Sequence, residues 1–173
     1  MTTPPLTTAQ QVCHAQVIDF LAQIHHAHID HQGSEILKTK QPHQINLTDT
    51  AGAIINLEIS SAAEVETSPL AKWQLHIEIG IWLEHKAIIH LWSWLTDTEV
   101  REEQVLLYLL RKNEKFQFGG FSMDDNGCIR FQASLLGETC QINEFALALG
   151  EVINAVDLYL LEIHRQLQHI PAI

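Results

Sequence analysis

The chain has 173 residues, 46% of them hydrophobic, and its ten Lys+Arg against twenty-one Asp+Glu give a formal charge of −11. That composition is globular rather than disordered, and the length suits one domain with a substantial core. A field this negative repels phosphate backbones and anionic lipid, which counts against nucleic-acid and membrane-surface partners.

In chain order, the start MTTPPLTTAQ lacks a charged region followed by an apolar run, so no signal peptide is expected. Residues 1–7 read as a disordered lead-in to a single domain over 8–170. A first helix is expected from Thr8, where TAQQ offers a Thr-x-x-Gln capping box closed by Gln11. Val17, Ile18, Leu21 and Ile24 define its buried face, and Gly33 suits the position just past its end.

From about residue 44 the apolar period changes from 3.6 to 2. AIINLEIS alternates Ile55, Leu57 and Ile59 with Asn56 and Glu58, and WQLHIEIGIWL alternates six apolar positions from Trp73 to Leu83. The polar SSAAEVETSP between them reads as a loop. After a turn at EHKA, IIHLWSWL is a further strand carrying Trp92 and Trp94. One-sided alternation predicts antiparallel pairing with one face packed and one wet.

TDTEVREEQVLLYLLRKN is expected to be a helix opened by a capping box from Thr96 to Glu99, with Arg111 and Lys112 suiting its C-terminal pole. FQFGGFSMDDNGCIRFQASLL reads as a hairpin turning at Asn126-Gly127. The last segment is an amphipathic helix capped by Asn143, with Ile142 and Leu147 as a hydrophobic staple. The fold class is therefore α+β, a two-layer sandwich with helices on one face of an antiparallel sheet, in the order α-β-β-β(-β)-α-β-β-α.

This order resembles the type III secretion chaperone-like fold, and within it the YbjN-type family. The likeness is carried by LLYLLRKNEKF, GGFSMDDNGCIRFQASL and the closing helix, at Asn113, Gly120, Phe121, Met123, Asp124 and Gly127. The resemblance implies a small acidic cytoplasmic homodimer, a regulator or chaperone-like module that binds a protein segment without catalysis or cofactor.

The residues themselves offer few chemistries. HHAHIDH packs His25, His28 and His31 at i,i+3 spacings. Two readings stay open: metal or small-molecule ligands awaiting partners from elsewhere, or a His-rich last turn favourable at a helix C-terminus. No zinc motif accompanies them, so no metal is assigned. Cys13, Cys128 and Cys140 form no C-x-x-C pair, which points to a reducing compartment and to packing roles. MDDNG lacks the spacing of a calcium loop, FGG is no phosphate loop, and no nucleophile elbow occurs, so no catalytic residue is nominated. The aromatic residues carry the remaining expectation. Trp82 is out of phase with its strand's apolar face, and Trp92 and Trp94 share a face with Ile88 and His90, so all three are candidate partner-binding anchors.

Overall fold

Alternation with period two and amphipathic helices account for nearly every element observed. A computed structural model of the chain describes residues 5–29, 43–61, 72–82 and 86–168. The elements are α1 (Thr8–Ile29), β1 (His43–Ala51), β2 (Ile54–Ser61), β3 (Lys72–Trp82), β4 (Lys86–Trp94), α2 (Glu103–Lys112), β5 (Gly119–Met123), β6 (Ile129–Leu136) and α3 (Ile142–Gln168). The strands form one antiparallel sheet of order β1-β2-β3-β4-β6-β5. The expected α+β sandwich is what the chain adopts, with four strands before α2.

One sheet face is built from Ile55, Leu57, Ile59, Leu75, Ile77, Ile79, Ile89, Leu91 and Phe131, all buried. Against it lie Val17, Phe20 and Ile24 of α1 and Phe145, Leu149, Val152, Ile153, Val156 and Ile163 of α3. Phe20 and Phe145 bring the two helices together with ring centroids 5.6 Å apart. Each large aliphatic side chain removed from water here contributes about 1.5–3 kcal/mol. Val105 and Leu109 join α2 to the same core near β5.

The first helix starts at Thr8 as expected, but local signals misplaced the helix caps. The first capping box lies one residue earlier than TAQQ suggested: the Thr7 N–H donates to Gln10 Oε1 (3.0 Å) and the Gln10 N–H to Thr7 Oγ1 (3.3 Å). Thr96 caps no helix. Its buried hydroxyl accepts the Ile129 N–H (2.9 Å), while Glu99 pairs with Arg101 and α2 begins only at Glu103. Residues 95–102 instead lie along the hairpin end, where the Val100 N–H donates to Gly127 O (2.9 Å). At α3 the box is closed by Glu144, whose carboxylate accepts the Gln141 N–H (3.2 Å), so the cap is Gln141 rather than Asn143. The Ile142–Leu147 staple moves with it, and buried Cys140 and Phe145 hold those two positions.

The β5–β6 turn is also longer than two residues. The Asp124 N–H donates to Cys128 O, and Asp124 Oδ1 accepts the N–H groups of Asn126 (3.0 Å) and Cys128 (2.8 Å). Gly127 closes the turn at φ +78°, where a Cβ would also sit 2.5 Å from Glu99 Cγ. The SSAAEVETSP loop from residue 62 on, the EHKA turn at 84–85 and Gly33 lie outside the described residues.

Both ends of the sheet are blunted. On β1 a register shift between Leu47 and Asp49 breaks the ladder. On β5 the Asn113 side chain stands in for a neighbouring strand: Oδ1 accepts the Phe121 N–H (2.7 Å) and Nδ2 donates to Phe121 O (3.1 Å). Gly120 permits this approach, since a Cβ there would lie 3.1–3.4 Å from the Asn113 amide. At the entry to β5, the Glu151 carboxylate of α3 accepts the N–H groups of Gln117 (2.7 Å), Phe118 (2.8 Å) and Gly119 (2.9 Å). Asn113→Ala should lower stability by about 1–3 kcal/mol and Glu151→Ala by about 2–3 kcal/mol, because each orphans backbone groups. Urea unfolding checks this, and wild-type midpoints in both variants would show that the two clips carry no stability.

Candidate functional site: the outer face of the sheet

The same alternation that buries Ile77 and Leu91 sends His76 and Trp92 to the opposite face. Register then aligns Asn56, His76, Trp92 and Gln132 in one row across β2, β3, β4 and β6. A second row holds Trp94, Arg130 and Ser122, and a third Glu78, His90 and Ser134. Unlike the inner residues, Asn56, His76, His90, Trp92, Trp94, Arg130 and Gln132 are only half-buried, and Glu78 and Ser134 are exposed.

The rings engage each other first. The His76 imidazole stacks on Trp92 with centroids 4.2 Å apart and planes 29° apart, and Trp94 meets Trp92 edge-on at 5.4 Å. The Arg130 guanidinium lies 5.9 Å from the Trp92 ring and 5.8 Å from that of Trp94, and its Nε donates to Ser122 Oγ (3.2 Å). Such aromatic pairs add about 0.5–1.5 kcal/mol each beyond their buried area, and an exposed cation–π contact about 0.5–1 kcal/mol. His76 Nδ1 donates to Asn56 Oδ1 (2.6 Å), and His90 Nδ1 lies 2.9 Å from Ser134 Oγ. The result is a ridge of rings and amides that offers apolar edges and hydrogen-bonding groups together.

Of the three tryptophans expected as anchors, the structure unites two. Trp92 and Trp94 form the ridge. Trp82, 48% exposed, stands six residues along β3 from His76, roughly 20 Å away at strand rise, opposite Lys86. It belongs to a separate, terminal spot.

The histidine cluster separates as well. His25 lines an apolar cleft of about 330 Å³ between α1 and the β1–β2 pair, beside Ile18, Leu21, Ile45 and Leu57. The side chain of His28, and His31 altogether, lie outside the described residues. Among the described residues, no three His, Cys, Asp or Glu side chains are grouped to hold a metal ion.

Sequence reasoning missed one buried constellation. His43 Nε2 bonds Asp157 Oδ2 of α3, and the Trp73 indole N–H donates to Asp157 Oδ1 (3.2 Å). The partners are separated by 114 positions, so no local spacing announces them. His43 is 1% exposed and its Nδ1 is buried without a hydrogen-bond partner, while the Asp157 side chain keeps 29% exposure, and the group ties β1 and β3 to α3. The cysteines are chemically quiet. Burial pushes the Cys13 and Cys140 thiols up to about 11, and burial together with Asp124, Asp97 and Glu99 raises Cys128, so none is a ready thiolate.

No protein-family model matches the chain, and no curated protein matches it. Among the described residues, no helix is long and apolar enough to cross a membrane.

Burial lowers the His76 pKa below its ordinary 6.5, so the folded chain holds the imidazole neutral where the unfolded chain begins to protonate it. The unfolded state then binds more protons, and this contribution, complete above about pH 6.5, is lost as pH falls toward the folded value. His76→Gln should flatten the fall in urea midpoint between pH 7.5 and pH 5.5, to about the extent that one histidine allows. An unchanged slope would show that His76 is not the titrating group.

Proposed function

We propose that the protein is a non-catalytic, cytoplasmic protein-binding module of the chaperone-like kind, a homodimer that uses the outer face of its sheet to hold a segment of another protein. One observation carries the reading: the His76–Trp92–Trp94–Arg130 ridge, half-buried on the face opposite the helices. Tryptophan and arginine are the residues most enriched where binding energy concentrates, since a ring edge and a planar donor fork serve an apolar and a polar contact at once. The acidic charge favours a basic or amphipathic partner segment.

The likeness to YbjN-type and type III secretion chaperone-like proteins rests on element order and on Asn113, Gly120, Phe121, Met123, Asp124 and Gly127. All of these but Met123 have physical work to do in this chain, in the β5 clip and the β5–β6 turn. A fold maintained by such features is compatible with many roles, so the binding assignment leans on the ridge.

Affinity capture with the intact chain, followed by titration of the purified partner, tests the reading. Trp92→Ala and Trp94→Ala should each weaken binding by roughly tenfold or more, the scale of a truncated interface anchor, while circular dichroism stays that of the native fold. Wild-type affinity in both folded variants would remove the outer face from consideration.

A further inference from the structure

Within the three rows of the outer face only Arg130 and Glu78 carry a fixed charge, and they stand at opposite corners. The Arg130 Nε donates to Ser122 Oγ (3.2 Å), and the guanidinium lies 5.9 and 5.8 Å from the Trp92 and Trp94 rings. Its Nη groups form no hydrogen bond or ion pair among the described residues. The Asp124 carboxylate is turned into its own loop, onto the N–H groups of Asn126 and Cys128 and the Asn126 amide. Glu78 is exposed and likewise unpaired among the described residues. Between these corners lie rings and amides: Trp92, stacked on His76, and Gln132.

A guanidinium with its fork open and indole rings beside it matches a carboxylate, which accepts two parallel hydrogen bonds where the rings exclude competing water. A polyanion does not suit the same place, since the −11 charge of the chain repels it, whereas one acid followed by one base is neutral. Successive rows on a sheet face lie two residues apart, about 6.6 Å, and an extended chain presents alternate side chains at that same interval. We propose that the outer face reads an extended segment of its partner as acid-x-apolar-x-base. The acid takes the Arg130 fork, the apolar side chain lies on the His76–Trp92 stack, and the base meets Glu78. The proposal rests on the outer-face reading above and names the chemistry of the segment held there. Arg130 and Glu78 stand about 13 Å apart along the strands and about 10 Å across them, so the segment crosses β6, β4 and β3 obliquely, within reach of long side chains at its two ends.

Titration of the intact chain with the capped peptide Glu-Thr-Leu-Thr-Lys at about 0.15 M salt, followed through the Trp92 and Trp94 indole N–H resonances, tests the proposal. This peptide should bind at least roughly fivefold more tightly than Gln-Thr-Leu-Thr-Lys, the scale of one charge-assisted pair. It should also outbind Lys-Thr-Leu-Thr-Lys, which long-range attraction to an acidic chain would favour. Arg130→Gln should abolish the preference for Glu over Gln and leave the affinity for Gln-Thr-Leu-Thr-Lys nearly unchanged, a cycle that separates the pair from effects on the fold. Arg130→Lys, a charge without the fork, should restore only part of the preference. Glu78→Gln should weaken the parent peptide by roughly twofold or more and spare Glu-Thr-Leu-Thr-Gln.

Equal binding of the Glu and Gln peptides overturns the proposal. So does tightest binding of the all-base peptide, a Glu preference that survives in folded Arg130→Gln, or unmoved Trp92 and Trp94 resonances at millimolar peptide. The two readings fail separately. Peptides that move the Trp92 resonance without regard to their acid, or a captured partner that needs Trp92 but not Arg130, refute the charge pattern and keep the outer face. A captured partner indifferent to Trp92→Ala and Trp94→Ala removes the outer face itself.

Discussion

Three carboxylates on one helix decide how the rest of the chain is hung. Asp157 of α3 reaches His43 of β1 and Trp73 of β3, Glu151 gathers three backbone N–H groups at the entry to β5, and Glu162 accepts the Tyr108 hydroxyl of α2 at 2.5 Å. The apolar stripe of α3 supplies the burial, but a stripe alone permits sliding and rotation against a sheet. Charged acceptors at fixed turns remove that freedom, because each is satisfied in only one placement. Burial, and after it the bond to Glu162, also raises the Tyr108 pKa, which keeps the phenol a donor.

The two faces of the sheet follow from that anchoring. Once α1 and α3 are fixed on one side, every odd or even position along a strand is committed to core or to the outer surface, and a one-residue slip would invert both. The outer surface is accordingly a regular grid whose rows are set by register. The grid places His76 beside Trp92 and Trp92 beside Arg130, although these residues come from three separate strands. Their mutual stacking gives the ridge shape, and among the described residues no helix covers it.

The sequence made the layers legible because alternation and amphipathic spacing act over many residues. β3 shows its six in-phase apolar positions plainly, and the stripe of α3 does the same. What failed was punctuation. Thr96 resembled a cap because Thr-x-x-Glu is a short pattern, and a tertiary acceptor role for its hydroxyl toward Ile129 won. Trp82 resembled a companion of Trp92 because phase reports the face of a strand but not the distance along it. The His43–Asp157 pair was invisible for a related reason: spacing encodes neighbours within an element, whereas this contact joins the first strand to the last helix. Asn113 lay between these cases. It stood out as a helix-ending residue before Gly120, yet its service to Phe121 required the coordinates of both.

Strand order gives the aromatic ridge a second meaning. Four of the five strand pairings join consecutive strands, whereas β4 meets β6 across α2 and β5, with Trp94 opposite Arg130. That seam closes the longest chain loop in the sheet, so its closure carries the largest entropic cost of the five pairings. The Arg130 guanidinium sits beside Trp92 and Trp94 directly over the seam, with the meander on one side and the terminal hairpin on the other. Anything that grips the ridge therefore grips both halves of the molecule. Occupancy there would be felt as cohesion of the whole sheet, in proportion to the logarithm of ligand concentration over its dissociation constant.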